Sequence, residues 1–162
     1  MSCIRGGQAR IDASQRIAPN ALCHLLEREI RGAIVSIMAF DAGAATLQLI
    51  VGDSLPPLLR QKTRRVRVGD PFGTCGAAAY WRNTIITRDL QRDPRWRNYR
   101  TAARRAGLRS CWSTPIITPD DGLLGTLAVY SNRVGSPDPR AVDMTSAVAS
   151  LLAPTLSQRH GR

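Results

Sequence analysis

Apolar positions change period several times along this chain, and the changes mark its elements. After Pro19 and Asn20, Leu22, Leu25, Leu26 and Ile30 recur at i, i+3, i+4 and i+8, the spacing of one buried helical face. Two β-rich runs follow, 33–40 and 45–51, joined by Asp41-Ala42-Gly43-Ala44; they predict a hairpin. Pro56-Pro57 predicts a break in regular structure. Beyond it 64–68 alternates, with Val66 and Val68 on one face and Arg65 and Arg67 on the other, as expected of an edge strand whose charges discourage further pairing.

The middle of the chain packs more signals into fewer residues. Gly73-Thr74-Cys75-Gly76 predicts a tight entry into an alanine-rich helix over 77–82, and 84–87 a short strand. Asp93-Pro94 predicts a capped start and Gly107 a stop for a helix over 95–106, on which Trp96, Tyr99 and Ala103 form one stripe amid Arg97, Arg100, Arg104 and Arg105. A strand over 110–117 alternates Cys111, Ser113 and Pro115 against Trp112, Thr114 and Ile116. The first set reads as a pocket wall and the second as core. Asp120-Asp121-Gly122 turns the chain into 123–130, with Thr126, Ala128 and Tyr130 opposite Leu127 and Val129. Ser136, Asp138 and Pro139 open a last helix carrying Met144, Val148, Leu151 and Leu152, which Pro154 is expected to kink or stop.

Composition narrows the possibilities. The 162 residues, 43% hydrophobic, suit one domain, with 1–15 as a tail, 16–159 folded and 160–162 as a second tail. No apolar run is long enough for a membrane span and no signal-peptide core is present, so a cytoplasmic location is expected. His24 falls on the polar side of the first helix and His160 in the tail, which argues against a metal centre or a Ser/His/Asp site; no cofactor is implied. The net charge of +11 admits nucleic acid as a partner. Yet 22 of the 23 basic residues are Arg, a bias that genomic base composition explains as readily as phosphate contact. Cys3, Cys23, Cys75 and Cys111 form no close pair and are expected to be reduced. Cys75, near a helix start, is either a small residue fitting a turn or a thiolate activated by the helix dipole.

Four pieces in order, GTCGAAA, IITRDLQRDPRW, AGLRSCWSTPI and LLGTLAVY, followed by a final helix, resemble the GAF domains of bacterial signalling proteins from about Ser14 to Arg159. The resemblance implies an α+β fold related to PAS domains. Its antiparallel sheet has five or six strands, with terminal helices on one face and a lidded pocket on the other. Carried over residue by residue, it implies ligand contacts at Asp89, Trp96, Tyr99, Arg100, Cys111, Ser113 and Tyr130, with no catalytic or metal-binding residue. The implied function is that of a small-molecule sensor for a polar or anionic ligand, signalling through its terminal helices to an output protein in trans. Pro154 is expected to interrupt any helix leading outward, and a homodimer through the first and last helices is expected.

Within that family, DPRWRNY lacks the Cys and His of bilin-binding lids. Asn132-Arg133 and Asp143 match part of a cyclic-nucleotide signature from which Ser136 and Met144 depart. The enzymatic alternative is free methionine-(R)-sulfoxide reductase, which shares a Gly-x-Cys-Gly turn. Where that family has further cysteines this chain has Arg65 and Tyr99, leaving Cys111 as the conceivable partner thiol.

Overall fold

The computed structural model describes residues 17–160; Cys3 and the expected N-terminal tail lie outside them. Pro19 begins α1 (Pro19–Glu29), where its fixed φ suits the first turn and its missing N–H has no partner to lose. Leu22, Cys23 and Leu26 are buried, whereas Leu25 is 37% exposed. The stripe of the first helix is thus rotated by one position, with Cys23 replacing Leu25 in the core. Burial first, then Glu27 and Asp53, pushes the Cys23 thiol up to about 12, so it remains a neutral packing group.

Glu27 ties α1 to the sheet, accepting from the Val35 backbone N–H at 3.0 Å and from the Ser54 hydroxyl at 3.1 Å. Strands β1 (Ile34–Asp41) and β2 (Thr46–Val51) form the expected hairpin, with Ala44 N–H donating to the Asp41 carboxylate in its turn. The Pro56-Pro57 pair ends the extended chain but also starts a helix, α2 (Pro57–Lys62), with Pro57 in its first turn. The break expected there is therefore a boundary between elements. Leu59 of α2 is fully buried. β3 (Arg65–Arg67) then lies at the sheet edge with Val66 buried and both arginines exposed, as its alternation requires.

From the edge the chain enters α3 (Gly73–Trp81) and β4 (Ile85–Thr87). The single helix expected over 95–106 is instead a 3₁₀ turn, Pro94–Trp96, and a short helix, α4 (Arg100–Arg105). Asp93 caps the turn by accepting from Arg95 N–H at 2.9 Å, and Gly107, at φ +72°, follows the end of α4. β5 (Ser110–Ile117) and β6 (Leu123–Ser131) complete a six-stranded sheet of order β3-β2-β1-β6-β5-β4, with all neighbours antiparallel.

Two cores form on opposite faces of this sheet. α1 and α5 (Pro139–His160) cover Ile37, Trp112, Ile116, Leu127 and Val129. Trp112 Nε1 donates to the Thr145 hydroxyl at 3.1 Å, which donates to Ala141 O at 2.7 Å, so the indole N–H and the hydroxyl beneath it are both paired. The second core lies under α2, α3 and α4 and holds Met38, Leu47, Cys111, Ala128 and Tyr130. Alternation along β5 and β6 thus separates the faces as expected.

Pro154 neither stops nor ends α5, which continues to His160. The proline is exposed, while Leu152 and Leu156 on either side of it are fully buried against the sheet. Burial of two leucines, roughly 1.5 to 3 kcal/mol each, offsets one lost helical hydrogen bond. Leu151, expected in the core, is 55% exposed. His160, expected in a tail, ends the helix with its ring nitrogens 3.2 Å from Leu156 O and 2.6 Å from Phe40 O. Pro154→Ala restores the missing N–H and is expected to stabilise the protein by about 2 kcal/mol. Thermal denaturation checks this, and an unchanged or lower melting temperature contradicts it. No helix among the described residues is long and apolar enough to cross a membrane.

Candidate functional site

The second core contains the site. Its inner wall is sheet, from Met38 and Val66 to Tyr130; its side is the first turn of α3, Gly73 to Cys75. Trp96 and Tyr99 close it from the 3₁₀ turn and the residues after it, with Phe72 and Thr63 completing the rim. Gly73 enters α3 at φ +69°, a backbone shape that suits glycine where the chain turns into the cavity wall.

Trp96 is the plug. It is 3% exposed, and its Nε1 donates to the Thr74 hydroxyl at 2.8 Å. Thr74 shares a further 2.8 Å hydrogen bond with Thr87 of β4. The indole also meets Tyr99 and Tyr130 edge-to-face, with ring centroids 5.7 and 6.2 Å away. The space that remains is about 20 Å³, room for roughly one water molecule. The lidded pocket is present in outline and filled by its own aromatic rings.

The residue before the plug faces the opposite way. Arg95 donates from Nε and Nη2 to Asp70 Oδ1 at 3.0 and 2.8 Å, and its Nη1 lies 3.4 Å from Asp93 Oδ2. Trp81 Nε1 donates to the same Asp70 oxygen at 3.1 Å. Consecutive side chains thus fasten the lid twice, Arg95 outside to the loop before α3 and Trp96 inside to α3 itself. An open cleft of about 480 Å³ lies along this outer latch, bordered by Phe72, Pro94 and Arg97.

The hydrogen bonds from Arg95 and Trp81 hold the Asp70 carboxyl below its usual range. A lowered carboxyl contributes stability that is complete above its unfolded pKa and is lost as pH falls through the lower, folded value. Lid amides over 93–99 are therefore expected to lose hydrogen-exchange protection as pH drops below the ordinary carboxylate range. Asp70→Asn should remove that pH dependence; its persistence in the variant would assign it elsewhere.

Of the residues expected to contact a ligand, Trp96, Tyr99 and Tyr130 line the cavity. Cys111 and Ser113 belong to the same buried layer, with the Ser113 hydroxyl 3.5 Å from the Cys75 sulfur. Asp89 and Arg100 do not reach the cavity wall. Asp89 accepts from Gln91 N–H at 3.0 Å and pairs loosely with Arg92, whereas Arg100 donates to Asp93 O at 3.2 Å. Both hold the lid loop in shape. The arginine-lined receptor expected from the lid sequence is not assembled, because no basic side chain among the described residues lines the cavity.

The cavity face disfavours charge of its own as well. Burial raises the Cys75 thiol, against small opposing effects of Ser113 and Thr126, and raises Cys111 and Tyr130 well above their ordinary values. Of the two readings of Cys75, its burial therefore favours the small packed residue over the thiolate. Sequence inspection missed Met38, Thr74 and Thr87. Alternation places Met38 on this face, but nothing local reveals the Thr74–Thr87–Trp96 chain.

Residues 14–157 match the family model described as GAF domain. A curated relative, the methyl sulfide methyltransferase-associated sensor of Methanosarcina acetivorans, is 26% identical over 106 residues, 65% of this chain. That match spans only 11% of the relative's own length. Among solved structures, a GAF domain region from Geobacter sulfurreducens PCA superposes with a TM-score of 0.69 at 18% identity, covering 85% of this chain and 89% of that one. The type II free methionine-R-sulfoxide reductase of Thermoplasma acidophilum gives 0.65 at 19% identity, covering 86% and 89%. At such identities these two likenesses concern the fold.

Proposed function

The chain belongs to the GAF domain family, and we propose on that footing that it is a sensing domain whose small-molecule receptor is the cavity beneath Trp96 and Tyr99. The supporting observation is the doubly fastened lid over a site walled by the sheet on one side and α3 on the other. A ligand enters by displacing the aromatic rings, and its presence is felt by α1 and α5 through the sheet. The curated relative, named as a sensor, supports the same reading. Leu25 and Leu151, exposed apolar residues on α1 and α5, offer a surface for a second copy or for an output protein in trans. A cytoplasmic location suits that role. Thermal-shift screening with small organic compounds tests it, because a ligand that binds only the folded state raises its melting temperature. The expected hit also changes amide exchange in α1 and α5; a hit that leaves both helices unaffected would remove the signalling role.

The reductase reading draws on two thiols, Cys75 and Cys111, in one buried layer and on the likeness to a methionine-R-sulfoxide reductase fold. Attack on a sulfoxide needs an accessible thiolate. Here both thiols are buried and held protonated. Neither is expected to react with a maleimide in the native state, and no turnover of free methionine sulfoxide with dithiothreitol is expected. Turnover that disappears in Cys75→Ser or Cys111→Ser would replace the sensor with the enzyme.

A further inference from the structure

We propose that the cavity accepts an uncharged molecule with an apolar or aromatic body and one hydrogen-bond acceptor, and that it rejects anions of the same size. This rests on the reading of the cavity as a small-molecule receptor and departs from the anionic ligand that the lid sequence suggests. Two observations and one physical argument carry it. The wall contains rings, aliphatic groups, hydroxyls and a thiol but no basic group. None of the lid arginines lines the cavity: Arg95 is paired outside with Asp70 and Asp93, and Arg100 donates from Nη2 to the Asp93 carbonyl. An anion placed there would lose water and gain no counter-charge, a cost that normally excludes it.

The acceptor follows from two unused donors. Ser36 and Thr126 are 1% and 0% exposed, and their pairing with Ala128 and Met38 puts them on the cavity side of β1 and β6. Neither hydroxyl makes a hydrogen bond of acceptable geometry within the protein. Buried hydroxyls are almost always paired, so these two exceptions, in the sheet layer just behind the cavity lining, mark where a carbonyl or ether oxygen would be received. Thr74, by contrast, is already satisfied by Trp96 and Thr87.

A matched pair of probes, acetophenone and benzoate, differs mainly in charge, and Tyr99→Ala supplies space for a ring without touching the Trp96–Thr74 bond. Acetophenone is expected to raise the melting temperature of Tyr99→Ala more than that of the unmodified protein. Benzoate is expected to leave both unchanged. Adding Thr126→Val to the Tyr99→Ala protein should weaken acetophenone roughly five-fold, the usual loss for one neutral hydrogen bond. Benzoate binding that depends on residue 99 would overturn the charge assignment while leaving a small-molecule receptor in place. An unchanged acetophenone affinity in the Thr126→Val protein would overturn the acceptor assignment. If neither probe binds either protein, with both folded by circular dichroism, the receptor reading fails together with the inference.

Discussion

Trp96→Ala is expected to lower the melting temperature by on the order of 10 °C and to be partly rescued by indole. Truncating a buried tryptophan costs about 3 to 5 kcal/mol, and in a domain of this size each kcal/mol moves the transition by about 2 to 4 °C. Here the loss combines three contributions: the ring's apolar burial, its hydrogen bond to Thr74, and its edge-to-face contacts with Tyr99 and Tyr130. Indole restores the body and the N–H donor, so millimolar indole should raise the variant's melting temperature while leaving the unmodified protein unchanged. Rescue distinguishes a vacated site from general loss of packing. A variant that melts as before, or one that indole leaves unchanged, would show that Trp96 does not fill a ligand-sized space.

A second large effect is expected at Gly125, near the start of β6. A Cβ there would overlap the carbonyl oxygen of Met38 on β1, and on the helix side it would stand 3.1 Å from the Leu156 side chain. Neither neighbour can yield cheaply. Met38 belongs to the central β1–β6 pairing and Leu156 is fully buried under α5. Gly125→Ala is therefore expected to cost on the order of 4 kcal/mol or more, at the upper end for single substitutions. Gly43→Ala is the control, since its Cβ would meet nothing nearer than an Asp41 oxygen at 3.5 Å; a change within about 0.5 kcal/mol is expected. Urea denaturation measures both. Equal midpoints for the two variants would mean that β1 and β6 can separate more easily than their packing suggests.

The expectations that held are those in which period and burial coincide. Cys111 and Ser113 separate from Trp112 and Ile116 because a two-residue repeat leaves no other arrangement once both faces of the sheet are covered. The hairpins and the β3 edge follow from turn residues and exposed arginines that act locally. Helix faces were less determinate. Leu22 and Leu26 are compatible with Leu25 or Cys23 as a third buried neighbour, and only docking on the sheet selects Cys23. Pro154 does not stop α5, because a local rule about backbone donors says nothing of the buried leucines around it.

The site was legible in its parts and not in its assembly. Trp96, Tyr99 and Tyr130 converge as expected, but whether rings line a cavity or fill it depends on volumes set by α3 and β1. Arg95 gives no local sign that its partner lies 25 positions away at Asp70. The same holds for Cys75, whose place near a helix start suggested activation until its full burial was known. Gly76 shows the difference most simply. Read as a turn residue, it is instead the point where α3 presses on β3, since a Cβ there would stand 2.6 Å from Arg67 O.

The alternation of β1 and β6 also fixes how far a message must travel. Met38 and Tyr130 border the cavity, while their immediate neighbours Ile37 and Val129 belong to the core beneath α1 and α5. In the proposed sensor, receptor and transmitter are thus separated by the thickness of one pleated backbone. The tight seam at Gly125, where β6 meets both the β1 backbone and Leu156 of α5, lies within that partition.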